Sequence, residues 1–218
     1  MDSNPIKWSA SSADIEKYSH DNTQAESDIC QQLVTDTEAA RVGSQMLSGR
    51  MVGQLLQMLV RISRAKTVLD VGTYTGYSAL NLAESLPADG KVITLERCAQ
   101  SLEYAKQYFA KSEHGKKIEP LLGEALELIP NLSDESIDLA FVDAKKRENL
   151  DYYAALLPKI KIGGLMIIDD VLWPVLRPKD SIRAEVVDKM NQAILADPRV
   201  INLLLPVRHG VNMVQRVD

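Results

Sequence analysis

Apolar residues recur at helical spacing in two early stretches of the chain. Over residues 28–41 they are Ile29, Leu33 and Val34, and over 50–64 they are Met51, Val52, Leu55, Leu56, Leu59 and Val60. Steps of three and four residues put such side chains on one helical face, so two amphipathic helices are expected. Met51 and Met58 are assigned to the core. The segment VGSQMLSGR between the helices breaks the pattern with its glycines. From residue 67 the period changes. TVLDVG, KVITLE, KIEPLLG, IDLAFVD and GLMIIDD are short, β-rich runs. Between them, YSALNLAESL, 99–112, a short stretch through Ile129 and 147–158 have helical patterns. Such alternation implies a parallel sheet covered on both faces. The end of the chain differs. A helix over 181–196 leads into VINLLLP, a tight turn at VRHG, and VNMVQRV. Strands joined so closely run antiparallel, because a parallel crossover needs about a dozen residues. The expected architecture is one α/β, doubly wound domain over 26–218, mostly parallel, closing in an antiparallel hairpin. Residues 1–25, polar and rich in Ser, Asp and Asn, are expected to form a flexible N-terminal arm.

Composition narrows the function. A chain of 218 residues that is 45% hydrophobic can bury a core. A net charge of −5 argues against a general nucleic-acid binder, which needs a basic stripe. The two cysteines, Cys30 and Cys98, lack the CxxC spacing of zinc sites and redox pairs. They fit a reducing, cytoplasmic setting. The N-terminus lacks a signal-type apolar core, and no apolar run reaches the roughly 20 residues that span a bilayer. A soluble protein is expected.

Doubly wound sheets bind ligands outside the carboxyl ends of their strands. After the first strand, Gly72 and Gly76 lead directly into a helix. Glycine admits close backbone approach, and a helix N-terminus offers free N–H groups. The spacing is G-x-x-x-G rather than the G-x-G-x-x-G of dinucleotide binders, which suggests a cofactor without a pyrophosphate. Alone, the loop also fits an ordinary strand–helix turn. Glu96 closes the second strand and can accept hydrogen bonds from ribose hydroxyls, or cap the strand in solvent. Gly123 to Ala125 can line an adenine slot. Asp143 closes the fourth strand with Lys146 three residues on, as an ion pair or as a metal ligand beside a cation. Adjacent acids, Asp169 and Asp170, end the buried run LMII. If the chain turns there, both face one point beside Asp143. Three oxygen donors without His or Cys suit Mg²⁺, with Ca²⁺ or Mn²⁺ as alternatives. The plain alternative is that Asp170 caps a turn in solvent. Trp173 is expected to pack beneath this loop or to wall the acceptor pocket.

Together and in this order, AKTVLDVGTYTGYSALNLAESLPADGKV, FVDAKK and IIDDVLW resemble the cofactor and metal segments of one family. It is the cation-dependent, S-adenosylmethionine-dependent O-methyltransferases of the catechol and caffeoyl-CoA type. The resemblance covers residues 28–217. It implies a Rossmann-like class I methyltransferase fold with a seven-stranded sheet. It implies that Met46 and Ser48 lie over S-adenosylmethionine, and that Asp70, Gly72, Thr73, Tyr74 and Ser78 hold its methionine end and ribose region. Glu96 would bind the ribose hydroxyls, Glu124 and Ala125 would sit by the adenine, and Lys145 would lie at the cofactor's edge. Asp143, Asp169 and Asp170 would ligate a divalent cation, with Asp143 also near the cofactor. Lys146 matches the lysine proposed as general base. The resemblance further implies a small phenolic acceptor of catechol type and a homodimer, for which helices 28–41 and 50–64 offer a surface. Two other readings are a tRNA hydroxyuridine O-methyltransferase and an inactive nucleoside-binding module. The charge disfavours the first, and the Asp143, Lys146, Asp169 set disfavours the second. Three departures stand out. Asp170 replaces the family's usual Asn. His209 stands where relatives often have an acid. Gly49 and Arg50 replace a proline and an acid.

Overall fold

The computed structural model of the chain describes residues 12–40, 43, 46–179 and 181–218. Its frame is a seven-stranded sheet in the order β3-β2-β1-β4-β5-β7-β6. The strands are β1 (Thr67–Val71), β2 (Lys91–Glu96), β3 (Ile118–Leu122), β4 (Ile137–Val142), β5 (Ile160–Asp169), β6 (Val200–Leu205) and β7 (Val211–Arg216). The first five pair in parallel, whereas β7 runs antiparallel to both β5 and β6. This is an α/β, doubly wound, Rossmann-like sheet with a C-terminal antiparallel hairpin, as the resemblance to class I methyltransferases implies. The order reverses between β1 and β4, so a crevice opens at their carboxyl ends.

Strands buried on both faces read as continuous apolar runs. Alternation sends Val68, Leu139, Phe141 and Ile167 to one face of the sheet. There they meet α2 (Asp28–Ala39), α3 (Gly49–Ser63), α4 (Tyr77–Ser85) and α5 (Ala99–Lys111). Leu69, Ala140, Val142 and Ile168 face the other way, toward α6 (Ala125–Leu128), α7 (Asn149–Leu156) and α9 (Ser181–Ala196). None of these eight strand residues is more than 1% exposed, so little slack exists in the frame that carries the loops.

Asp138 fastens the amino ends of the strands. Its Oδ2 accepts the N–H groups of Lys66 and Thr67 at 2.9 and 2.7 Å, and its Oδ1 accepts from Lys161 Nζ at 2.6 Å. Burial raises its pKa, but Lys161 and the two N–H groups outweigh this and hold it below the usual value of 3.8. Its contribution is therefore present above that value and fades as the pH falls through the lowered one. Asp138→Ala is expected to cost about 1–3 kcal/mol. The urea midpoint at neutral pH would fall, with the loss shrinking in acid. An unchanged midpoint would contradict the role.

Several expectations need amendment. Residues 1–11 of the expected arm lie outside the described residues, and within the rest a helix, α1, spans Ser12–Asp21. Its only large apolar residues are Ile15 and Tyr18, too few to mark a stripe in the sequence, and both are exposed. A further short helix, α8, spans Trp173–Leu176. Met58 is 56% exposed and does not belong to the core, because it lies on the face of α3 opposite the buried stripe of Val52, Leu56 and Val60. β5 begins at Ile160, earlier than expected, with a register shift against β4 near Gly163. Among the described residues, no helix is long and apolar enough to cross a membrane.

Candidate active site

The loop after β1 is tied to its neighbours on both sides. The N–H groups of Gly72 and Thr73 donate to the carbonyl of Leu95 at 3.0 and 3.1 Å. Gly72 has φ +108, and a Cβ there would collide with the Asp143 carbonyl group after β4. Only glycine allows the two loops to touch. Tyr74, at φ +48, donates its N–H to Glu96 Oε2 at 2.8 Å. Cys98 N–H reaches Glu96 Oε1, also at 2.8 Å. Both oxygens of Glu96 are thus aimed, and each keeps a second lone pair for another donor.

Behind this loop lies Asp70, wholly buried. Thr94 donates its hydroxyl proton to Asp70 Oδ2 at 2.6 Å, so the 2.5 Å contact between Thr73 and Thr94 has Thr73 as donor. Asp70 Oδ1 has no partner among the described residues. Burial pushes the carboxyl up to about 7 against the Thr94 hydrogen bond and a weaker pull from the Ser78 hydroxyl. An orphaned buried acceptor is costly, and a cationic or N–H-bearing ligand beside it would relieve that cost.

The adjacent acids at the end of β5 do not continue the strand. Asp169 is its last residue, while Asp170 turns at φ +61 and gives its N–H to Asp169 Oδ1 at 2.9 Å. The turn brings both carboxyl groups toward Asp143. Lys146 Nζ sits between them, 2.6 Å from Asp143 Oδ1 and 3.2 Å from Asp170 Oδ2. Ser48 Oγ donates to Asp143 Oδ2 at 3.2 Å, and His209 Nδ1 lies 3.0 Å from Asp170 Oδ1. His209 is half exposed, yet paired with the cluster rather than free in solvent. Burial lowers the Lys146 pKa, but Asp143, Asp170 and Asp169 outweigh it and keep the group an ammonium. Asp169 is pushed up to about 7 by burial and then by Asp143. Burial also raises Asp170, but Lys146 and His209 outweigh it and hold that carboxyl below its ordinary value.

Three carboxyl groups thus face one ammonium. Among the described residues, no three His, Cys, Asp or Glu side chains stand ready as a metal cluster. Lys146 fills the space between the acids. The donor chemistry still suits a hard cation, since the set is all oxygen and carries more negative charge than Lys146 cancels.

A cavity of about 780 Å³ opens onto both groups. Gly72, Thr73, Tyr74 and Ser78 border it on the α4 side, and Met46 and Ser48 come from the segment before α3. Glu96, Glu124, Ala125 and Lys145 form another part of its wall, with Lys145 Nζ 2.7 Å from Glu124 Oε2. Asp143, Lys146, Asp169 and Asp170 complete it. Of the cofactor, metal and catalytic residues expected from sequence, Asp70 alone stands behind the wall rather than on it. Trp173 lines the cavity from α8. Sequence reasoning missed Tyr77, Tyr152 and Arg208, which border the same cavity. The first two lie on helical faces that also read as core. Arg208 lies in a turn whose only local signal was the neighbouring glycine.

The O-methyltransferase family profile matches residues 18–217. Caffeoyl-CoA O-methyltransferase of Petroselinum crispum is 34% identical over 180 residues, covering 76% of this chain and 75% of its own length. Caffeoyl-CoA O-methyltransferase 2 of Eucalyptus globulus is 36% identical over 180 residues, covering 76% and 73%. Among solved structures, the SAH-bound Podospora anserina methyltransferase PaMTH1 aligns with a TM-score of 0.88 at 25% identity, covering 98% of this chain and 99% of that one. The SAH complex of the Bacillus cereus O-methyltransferase aligns with a TM-score of 0.83 at 26% identity, covering 93% and 96%. With its fold, its strand-end loops and these relatives in agreement, the chain belongs to the family of S-adenosylmethionine-dependent O-methyltransferases.

Proposed function

We propose that this enzyme methylates one hydroxyl of a catechol-like, vicinal dihydroxy aromatic, with a divalent cation held by Asp143, Asp169 and Asp170. The observation that carries this is the convergence of those three carboxyl groups and Lys146 on the cavity that the Gly72 loop and Glu96 also border. When bound, S-adenosylmethionine supplies an electrophilic methyl group, and the cation a Lewis acid that lowers the pKa of an acceptor hydroxyl.

The chain's own residues do the rest. Glu96, oriented by two backbone N–H groups, accepts from the ribose hydroxyls. Glu124, held by Lys145, and Ala125 flank the adenine. Asp70, with its spare Oδ1, takes up donors from the methionine end together with Ser78 and the loop from Gly72 to Tyr74. Met46 and Ser48 cover the cofactor, with Ser48 tethered to Asp143. Lys146, an ammonium in this arrangement, donates a hydrogen bond to an ionising acceptor oxygen. It can take that oxygen's proton only after first releasing one of its own to solvent, which requires that its carboxylate partners be engaged elsewhere. Confinement of both reactants in one cavity supplies orientation, which is the larger part of catalysing a two-reactant step.

The acceptor class is tested by mass spectrometry with S-adenosylmethionine and either catechol or resorcinol, whose hydroxyls are not adjacent. Product from catechol and little from resorcinol is expected, and equal turnover of both would contradict the vicinal requirement. Asp170→Asn keeps a side-chain oxygen, so methyl transfer within about tenfold of wild type is expected. Asp170→Leu removes it and is expected to lose about a hundredfold in kcat. Complete loss in Asp170→Asn would rule out a role through oxygen ligation. Met58 and Ile62 on α3, both more than half exposed, support a homodimer, which light scattering would test. Two unpaired cysteines support a reducing, cytoplasmic setting.

A further inference from the structure

The turn between β6 and β7 holds an arginine that the catechol chemistry above leaves without a role. Arg208 Nη1 donates to the carbonyl oxygens of Leu47, at 2.9 Å, and of Ser48. The guanidinium lies flat against Gly49. A Cβ built there would sit 3.6 Å from Cζ, 3.6 Å from Nη1 and 3.7 Å from Nε. The turn itself is anchored, since Leu172 N–H donates to the His209 carbonyl at 2.8 Å and Val171 N–H to that of Gly210 at 3.1 Å. One guanidinium nitrogen is thus fixed, on a fixed turn. Among the described residues, Nε and Nη2 have no hydrogen-bond partner, and neither is buried without one. Neither is sealed from solvent, and Arg208 borders the cavity.

Its position relative to the acids is also set. Ser48, which Arg208 holds by its carbonyl, reaches Asp143, and His209, the next residue, reaches Asp170. Arg208 is therefore one residue away from two of the three carboxyl groups. An acidic acceptor entering here meets an excess of negative charge, and a cation on this wall offsets it. A guanidinium with two free, pre-oriented nitrogens matches the oxygens of an oxyanion.

Resting on the catechol reading, we propose that Arg208 determines specificity, selecting acceptors that carry an oxyanion, a carboxylate or a phosphate, beyond the dihydroxy ring. The test is the ratio of kcat/KM for caffeate to that for its uncharged methyl ester, with caffeoyl-CoA as the phosphate-bearing arm. A wild-type ratio of about tenfold to a hundredfold is expected for a hydrogen bond to a charged partner. Whichever of caffeate and caffeoyl-CoA exceeds the ester identifies the oxyanion. The ratio should fall toward one in Arg208→Met and stay intermediate in Arg208→Lys. A wild-type enzyme that methylates all three acceptors equally overturns the inference and leaves the catechol reading standing. A ratio preserved in Arg208→Met while every rate falls also overturns it, because Arg208 would then only hold the loop. No methylation of any arm, with cofactor binding intact by calorimetry, overturns the catechol reading itself. If Arg208→Met fails to fold, Arg208→Lys decides the matter: a ratio equal to that of wild type overturns the inference, and a lowered one supports it.

Discussion

Lys146→Met lowers kcat by about a hundredfold to ten-thousandfold, the range for a group that handles the reacting proton. The side chain is nearly buried, and its charge sits 2.6 Å from Asp143 and 3.2 Å from Asp170. Methionine keeps the length and removes the charge. Two effects then add. On the proposed reading the acceptor oxygen would lose a donor, and Asp143 and Asp170 lose the ammonium between them. The second effect raises repulsion within the cluster, so metal affinity changes as well, and the assay needs saturating cation. Binding of S-adenosylmethionine, measured by calorimetry, should change far less, because the Glu96 and Glu124 wall does not touch Lys146. A drop in kcat below tenfold would show that Lys146 is a structural counter-ion and no more. An equal collapse of cofactor binding would show that it holds the cavity together.

Gly72→Ala is expected to abolish activity and to cost more than about 3 kcal/mol of stability. Two independent penalties combine. A backbone at φ +108 is one that L-residues rarely adopt. The new Cβ would also lie 2.9 Å from the Asp143 carbonyl carbon and closer still to its oxygen. Backbone cannot swing aside as a flexible side chain can. The β1 and β4 loops would part, carrying Thr73 and Tyr74 away from Asp143. Gly163→Ala is a suitable comparison. Gly163 is also at positive φ, at +83, but a Cβ there meets nothing within 4 Å. That change should cost about 1 kcal/mol from backbone strain alone. If the two variants melt together, the contact between the loops is unimportant.

The strand ends were legible because the strands are buried on both faces. Runs such as LAFV and LMII leave few alternatives, and each stops at a residue with different chemistry. The paired acids posed a puzzle, since neighbours on a strand point apart. The positive φ of Asp170 resolves it, and nothing local in the sequence required that angle. Residue type misplaced Met58 in the core, whereas helical period sets it opposite Val52, Leu56 and Val60. α1 was missed because two large apolar residues, Ile15 and Tyr18, are too few to mark a helical stripe. Arg208 was beyond reach for a different reason. Its partners, Leu47 and Ser48, lie 161 and 160 residues away, and only the closed hairpin brings them together. The position of Lys146 among the acids was half legible. Its spacing from Asp143 suggested a pair, but the approach of Asp170 depends on the turn.

The central claim is that Asp143, Asp169 and Asp170 serve a cation that activates a catechol-like acceptor. Methyl transfer from S-adenosylmethionine to catechol, followed by mass spectrometry with Mg²⁺ and with EDTA, tests it most directly. The account predicts product with Mg²⁺, none with EDTA, and recovery when excess Mg²⁺ is restored. Full turnover in EDTA would contradict it, and would leave Asp143 and Asp170 as ion-pair partners of Lys146 without a metal role.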